Sequence, residues 1–422
     1  MSSAGKLLLL IGLGASYRIR LIGAIGVSEI LVFLWAPFIF AEEFPVLRRN
    51  GFGTYFTLLS FTMIGCVVAS VMNHTHIALF LRGFANLYSL FAGVVVIHHL
   101  LRKEPQSIKW LALGLAISSP LSFVLHGGDL NLDFEIATGG NAAFARMRSL
   151  ANLAWLPVSV WYFDIPLWIS SGLPFFYGVL CLTKSSSGRS LALTLMMTGV
   201  LAFVGRKDTA KIVGISKYFL KFSLAILLFL LLFKTAYTYL APKGYLGNVA
   251  KAKYIGQTKG KKGTLNLLVG GRIEVFQGIY AGFKRPIFGF GPWAADTEGL
   301  HGEFLEKYGL EEEYEEYLKS EAIRASVGRR RLVAGHSHLI SFWNWFGIFG
   351  LFFWLYVLQQ LYTLFRWNIG SIPLFFGFIC AYAPKAVWDI FFSPFSARLP
   401  TAALITITIL MNKEGRKRRL AM

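Results

Sequence analysis

Gly335-His336-Ser337-His338-Leu339-Ile340-Ser341-Phe342-Trp343-Asn344-Trp345-Phe346-Gly347-Ile348-Phe349-Gly350 is the stretch where a long polar segment passes into an apolar run. Two histidines flank a serine at that boundary. The apolar run behind them reads as a membrane span, Leu339–Phe365, closed by Arg366. Gly347 and Gly350, three residues apart, fall on one face of such a helix. Histidine is the side chain best suited to take up a proton near neutral pH. Set where water meets lipid, it suits chemistry on a substrate that is part lipid and part polar.

The composition agrees with a membrane setting. Of 422 residues 55% are hydrophobic and 15% charged, with a mean hydropathy of +0.55. Soluble domains carry about 25% charged residues. Many apolar runs are long enough, at about 18 residues or more, to cross hydrocarbon. Forty-two basic against 22 acidic residues give a formal charge of +20. The positives sit mostly in short loops between apolar runs, the bias of cytoplasmic loops, so nucleic acid is not the expected partner. Cys66, Cys181 and Cys380 all lie in apolar runs and form no CxxC pair, which speaks against disulfides and a zinc cluster. No Walker loop, dinucleotide glycine fingerprint or GxSxG occurs. The N-terminus lacks a small-residue cleavage site and does not read as a removed signal peptide.

Taken in order, the runs predict an all-α polytopic membrane protein with about eleven or twelve transmembrane helices. Lys6–Ser16 is too short to span alone and pairs with Leu21–Ala41 around Arg18 and Arg20. Gly53–Met72, Ile77–Leu101 and Ile108–Leu125 come next. After a polar loop, Gly127–Arg148, come Leu150–Phe163 and Ile165–Leu182, then Ser190–Val204 and Tyr218–Leu240. Ala241–Gly335 is the one long polar stretch, with helical apolar spacing over Gly270–Ala281 and an acidic helix-like segment over Glu303–Glu321. Leu339–Phe365, Ile372–Phe392 and Leu399–Met411 complete the set. The chain divides into an N-terminal bundle (1–240), a loop region (241–335) and C-terminal helices with a basic tail (336–422). Lys413, Arg416, Lys417, Arg418 and Arg419 place the C-terminus in the cytoplasm. Counting back puts the long loop on the outer, periplasmic side.

Three outer-face positions are candidates for chemistry. Arg189, where a serine-rich turn enters a span, has a guanidinium fork suited to phosphate; an interfacial snorkelling arginine is the plainer reading. Arg272 comes after two glycines at a helix start, where backbone can approach an anion; a surface ion pair with Glu274 is the alternative. His336 and His338 form the third. Two histidines two apart could also ligate a metal, but no third ligand lies at a matching local spacing. Lys385 and Asp389, four apart within a span, could neutralise each other on one helix face, and intramembrane charges are functional suspects. Arg398, at the outer end of the last span, is either a ligand or a snorkelling anchor. The pairs His74/His76 and His98/His99 at span ends read as interfacial.

In three places the chain resembles the bacterial O-antigen ligases and the related polysaccharide polymerases. These are the turn Ser187-Gly188-Arg189-Ser190; Gly271-Arg272 with Pro286-Ile287-Phe288-Gly289-Phe290-Gly291 behind it; and His336 with glycines eleven and fourteen residues on. The family carries asparagine directly after that histidine, where this chain has Ser337, so His338 stands as an extra candidate. The resemblance covers roughly the second half of the chain. It implies an integral-membrane glycosyltransferase of the multispan type, working without metal, cofactor or nucleotide sugar. Its donor would be a glycan on undecaprenyl diphosphate, and its acceptor the lipid A-core of lipopolysaccharide, or another lipid-linked glycan for a polymerase. His336 would be the general base, Arg189 and Arg272 would hold the diphosphate, and His338, Lys284, Arg285, Asp389 and Arg398 would contact substrate. The site would face the periplasm from the inner membrane. A transporter or flippase of a lipid-linked glycan is the other class; it would need inverted repeats, and none is evident.

Overall fold

The computed structural model describes residues 1–21, 23–126, 153–184, 189–204, 216–258, 273–308, 310, 314–315, 317–321, 331–333, 335–369, 372–393 and 398–421. Helices dominate it, and several are long and apolar enough to cross a membrane.

Helix α1 (Ser3–Leu13) is capped by Ser2, whose hydroxyl accepts the Gly5 N–H. It runs parallel to α5 (Ile108–His126). A Cβ at Gly12 would stand 2.7 Å from the Leu111 carbonyl, and Ser16 Oγ meets Ser118 Oγ at 2.9 Å. Small residues thus let two backbones approach closely, the usual basis of helix pairing in lipid. The expected pairing of the first run with the second holds in outline, but the connection is a short β-hairpin, Arg18–Leu21 with Gly23–Gly26. That hairpin, with an isolated antiparallel bridge between Ala295 and Leu332, departs from the expected all-α chain.

The longest apolar stretch, Val27–Met72, is two arms and not one rod. Helix α2 (Val27–Leu47) and α3 (Gly53–Met72) meet at Arg48–Phe52, where Gly51 has φ +89° and the chain reverses. Contacts with α4 (Ile77–Lys103) give the directions. Phe33 meets Tyr88 and Glu43 meets His98, so α2 runs parallel to α4. The Tyr55 hydroxyl donates to the Leu90 carbonyl and Asn50 reaches His98, so α3 runs antiparallel. Asn73–His76 is the turn between them, in the gap left between the expected runs Gly53–Met72 and Ile77–Leu101.

Next among the described residues come α6 (Trp155–Tyr162), a single helical turn at Leu167–Ser170, α7 (Gly172–Lys184), α8 (Arg189–Val204) and the long, largely exposed α9 (Ser216–Leu240). Leu150–Phe163 was expected to span; its described helix, α6, has only eight residues. The Gly127–Arg148 loop and the inner loop around Arg206 and Lys207 lie outside the described residues. Helix α10 (Asn248–Thr258) is succeeded by α11 (Ile273–Lys284) on the expected amphipathic segment. The expected acidic helix is broken: α12 (Leu300–Lys307) ends at Tyr308.

Leu339–Phe365 is not one helix. Helix α13 (His338–Phe346) stops at Gly347, and α14 (Ile348–Thr363) turns back beside it. The bundle closes with α15 (Phe376–Phe392) and α16 (Arg398–Leu420). Five apolar stretches reach spanning length among the described residues, the first being the α2–α3 pair, against the eleven or twelve expected. Several predicted runs form shorter helices, because periodicity does not reveal where a buried segment folds back.

The bundle has two chemically distinct ends. At the basic end, Lys413 of α16 donates to Asn50 beside Arg48 and Arg49, and Arg419 lies over Trp367 at 5.3 Å. Arg102 and Lys103 finish α4 there. At the loop end, Arg285 donates to Asn73 and Asn73 Nδ2 donates to the Gly289 carbonyl at 3.2 Å.

Candidate functional site

His336 and His338 lie at the start of the hairpin formed by α13 and α14. Gly347 has φ +67° and ψ −154°, a conformation open essentially only to glycine. A Cβ there would overlap the Ile287 carbonyl. Gly347 therefore breaks the helix on which the sequence pattern set it beside Gly350. The last carbonyls of α13 would be orphaned by that break. The loop Pro286–Gly291 supplies their donors: Phe290 N–H to the Asn344 carbonyl at 2.6 Å and Gly291 N–H to the Trp345 carbonyl at 3.2 Å. In return, the Ile287 carbonyl accepts the Ile348 N–H at 3.1 Å, and the Pro286 carbonyl accepts the Trp343 indole N–H at 3.2 Å. Gly289 and Gly291, at φ +71° and +86°, let the loop lie flat against the hairpin.

At the other end of α13 the N-cap is Ser337, not His336. Its Oγ accepts the Ile340 N–H at 3.1 Å and donates to the Ile390 carbonyl of α15 at 2.7 Å. Ser341 Oγ donates to the Gly335 carbonyl. These bonds fix the backbone on both sides of His336 while its side chain stays exposed. His338 is 2% exposed, with its ring 5.0 Å from Trp354 and walls of Ala386, Thr401 and Leu404 around it. The two histidines thus differ in kind: one exposed, one packed in the core.

Arg189 heads α8, and antiparallel packing on α7 brings Gly178 against Ala192 and Gly199 against Ser171. The neighbouring Thr183 carbonyl of α7 lies against Gly247, just past the end of α9. Helix α9 begins at the basic end, where Phe222 meets Phe365. Arg189 therefore belongs to the loop end. Arg398 heads α16, whose other end carries the basic tail. The placement of the Arg189 and Arg398 side chains, and the whole of Arg272, lies outside the described residues.

Asp389 is buried and paired with Lys385, one residue before the carbonyl that anchors Ser337. The spacing seen in the sequence thus becomes an ion pair. Lys284 and Arg285 are each held by carboxylates. Lys284 Nζ is 2.7 Å from Glu303, which also accepts the Tyr280 hydroxyl at 2.6 Å; Arg285 pairs with Glu298 and lies 4.9 Å over Phe290. The Lys284 ammonium and the Tyr280 hydroxyl hold the Glu303 carboxyl below its usual range, and Glu303 raises Lys284 in turn.

Beside the hairpin, a cavity of about 410 Å³ opens between α8, α9, α14 and α15. Met197, Ile226, Leu358, Val387, Trp388 and Phe391 form its apolar walls. Nothing in the local sequence marks these positions as a cavity, since each also fits a lipid-facing or core residue. Among the described residues no group of three His, Cys, Asp or Glu is placed to hold a metal. Compared with known proteins, the chain matches no family model, no curated relative and no solved structure.

Proposed function

We propose that this chain is a membrane glycosyltransferase of the O-antigen ligase type. It would transfer a glycan from undecaprenyl diphosphate to a lipid A-core acceptor at the loop end of the bundle, facing the periplasm. The observation that carries this reading is His336: an exposed imidazole, on a backbone pinned to α15 through Ser337, with Arg189 and Arg398 heading helices at the same end.

In the proposed reaction His336 removes the proton from the acceptor hydroxyl as its oxygen attacks the anomeric carbon. The bond from that carbon to the diphosphate oxygen breaks, and undecaprenyl diphosphate leaves with the electron pair. Arg189 and Arg272 stabilise the charge that develops on it. A positioned base contributes about 10² to 10⁴ in rate. The apolar cavity fits a hydrocarbon tail, since ligand sites of this kind measure roughly 300–1,000 Å³.

The test is transfer by purified protein in lipid nanodiscs, with the product read by mass spectrometry. His336→Ala should lose at least about 100-fold in turnover while still binding donor lipid. Full activity in that variant would remove the reading. A single added glycan indicates a ligase, and a growing ladder indicates the related polymerase.

A further inference from the structure

At the basic end a chain of hydrogen bonds runs through the interior from α2 to α16. Its centre is Glu43, fully buried. Oε1 accepts the His99 Nδ1–H at 2.6 Å and the Arg102 Nε–H at 3.1 Å, with a second bond from Arg102 Nη2. Oε2 accepts the His98 Nδ1–H at 3.0 Å. On its far side, His98 Nε2 accepts from the Asn50 amide at 2.9 Å, and the Asn50 oxygen accepts from Lys413 of α16. His98 is itself fully buried, with the Phe52 ring 5.1 Å away.

The donors and acceptors leave one consistent assignment. Glu43 accepts only, so His98 carries its proton on Nδ1. Nε2 is then a lone pair and takes an Asn50 N–H. That turns the Asn50 oxygen outward, toward the Lys413 ammonium, which has donors only. The Glu43 carboxylate is opposed directly by the Arg102 guanidinium, and Lys413 adds a second cation at the α16 end of the chain.

A second proton on His98 breaks this pattern. It has to sit on Nε2, where it would point at the Asn50 NH₂ group, donor against donor. Asn50 relieves the conflict by exchanging its amide ends, and its NH₂ then faces Lys413, again donor against donor. We propose that His98 is a proton-binding site whose occupation releases the C-terminal helix α16 from the turn between α2 and α3. The groups facing it are Glu43 from α2, Asn50 from the turn, His99 and Arg102 from α4 and, through Asn50, Lys413 from α16. The proton comes from solvent at the basic end, where Asn50 is only half-buried. Helix α16 also walls the His338 pocket through Thr401, Leu404 and Ile405, so loosening it reaches the packing around that ring.

The experiment is hydrogen exchange read by mass spectrometry on the full chain in nanodiscs. It runs from about pH 5 to about pH 8, the range in which histidine titrates, with intrinsic exchange rates corrected for pH. In the wild type and in His99→Gln, peptides covering 413–421 should lose about tenfold protection on acidification, the size of one hydrogen bond to a charged group. His98→Gln still donates to Glu43 but cannot titrate, and should show no step. A wild type with constant protection, or a step that survives in His98→Gln, would overturn the proposal. Should His98→Gln not fold, Asn50→Ala serves instead. It should give low protection at every pH, and a retained wild-type step there would equally refute the switch.

Discussion

The Ile287 carbonyl accepts the Ile348 N–H at 3.1 Å directly across Gly347. A loop residue thereby occupies the space that a side chain on Gly347 would need, and it holds the reversal between α13 and α14. Gly347→Ala should destabilise the protein by more than the ~1–2 kcal/mol of an alanine in the left-handed helical region, because ψ −154° lies outside that region and the carbonyl must also move. Thermal denaturation in detergent checks this. Gly299→Ala is the control: φ is +68° there, but no atom lies within 4 Å of the added Cβ, so only the backbone cost should appear.

His336 and His338 should separate cleanly. His336→Ala is expected to leave the melting temperature unchanged, since the ring is exposed. His338→Ala removes a buried ring packed on Trp354 and should cost about 2–4 kcal/mol. Denaturation curves of the two variants, set beside their transfer rates, decide which histidine serves chemistry and which serves packing.

Ser337→Ala loses the helix cap and the anchor to Ile390 together. A lost cap costs about 1 kcal/mol, and leaving the buried Ile390 carbonyl without its donor adds about 1–3 kcal/mol. Ser337→Thr keeps both bonds and should restore most of the stability. If His336 depends on this anchor, turnover should fall with Ser337→Ala and recover with threonine.

Breaking the Lys385–Asp389 pair from one side leaves a charge in an apolar setting. Lys385→Met should therefore destabilise more than the double variant Lys385→Met/Asp389→Leu, which leaves none. Because Lys385 is about a third exposed, the single cost should lie below the ~3–5 kcal/mol of fully buried pairs. A double-mutant cycle on melting free energies measures it.

The loop carries its own pH dependence. Glu303 is held low by Lys284, so its contribution is complete above the unfolded carboxyl value of about 4.3 and fades as pH falls through the lower folded value. Lys284 is raised by Glu303; its share is complete below about 10.4 and is lost as pH rises through the higher folded value. Between those limits the share of this pair should be constant with pH. Glu303→Gln should abolish both edges, read by exchange of the 273–284 helix; an acid edge that persists would point to another group.

The sequence by itself determined the membrane class, the basic end, the breaks between the runs Leu21–Ala41, Gly53–Met72 and Ile77–Leu101, and the boundary at His336. Each rests on runs of apolar residues or on where charge and glycine interrupt them, which are local properties of the chain. Only the tertiary structure decided that Gly347 breaks a helix, that Ser337 and not His336 is the cap, and that His98 and His99 converge on Glu43. Glycine at a helix break and glycine on a helix face look alike until the Ile287 carbonyl is seen filling its space. A histidine pair at a span end reads as interfacial until a carboxylate from 55 residues away meets it. Such long-range donor–acceptor matches have no local signature, because the fold alone brings the partners together.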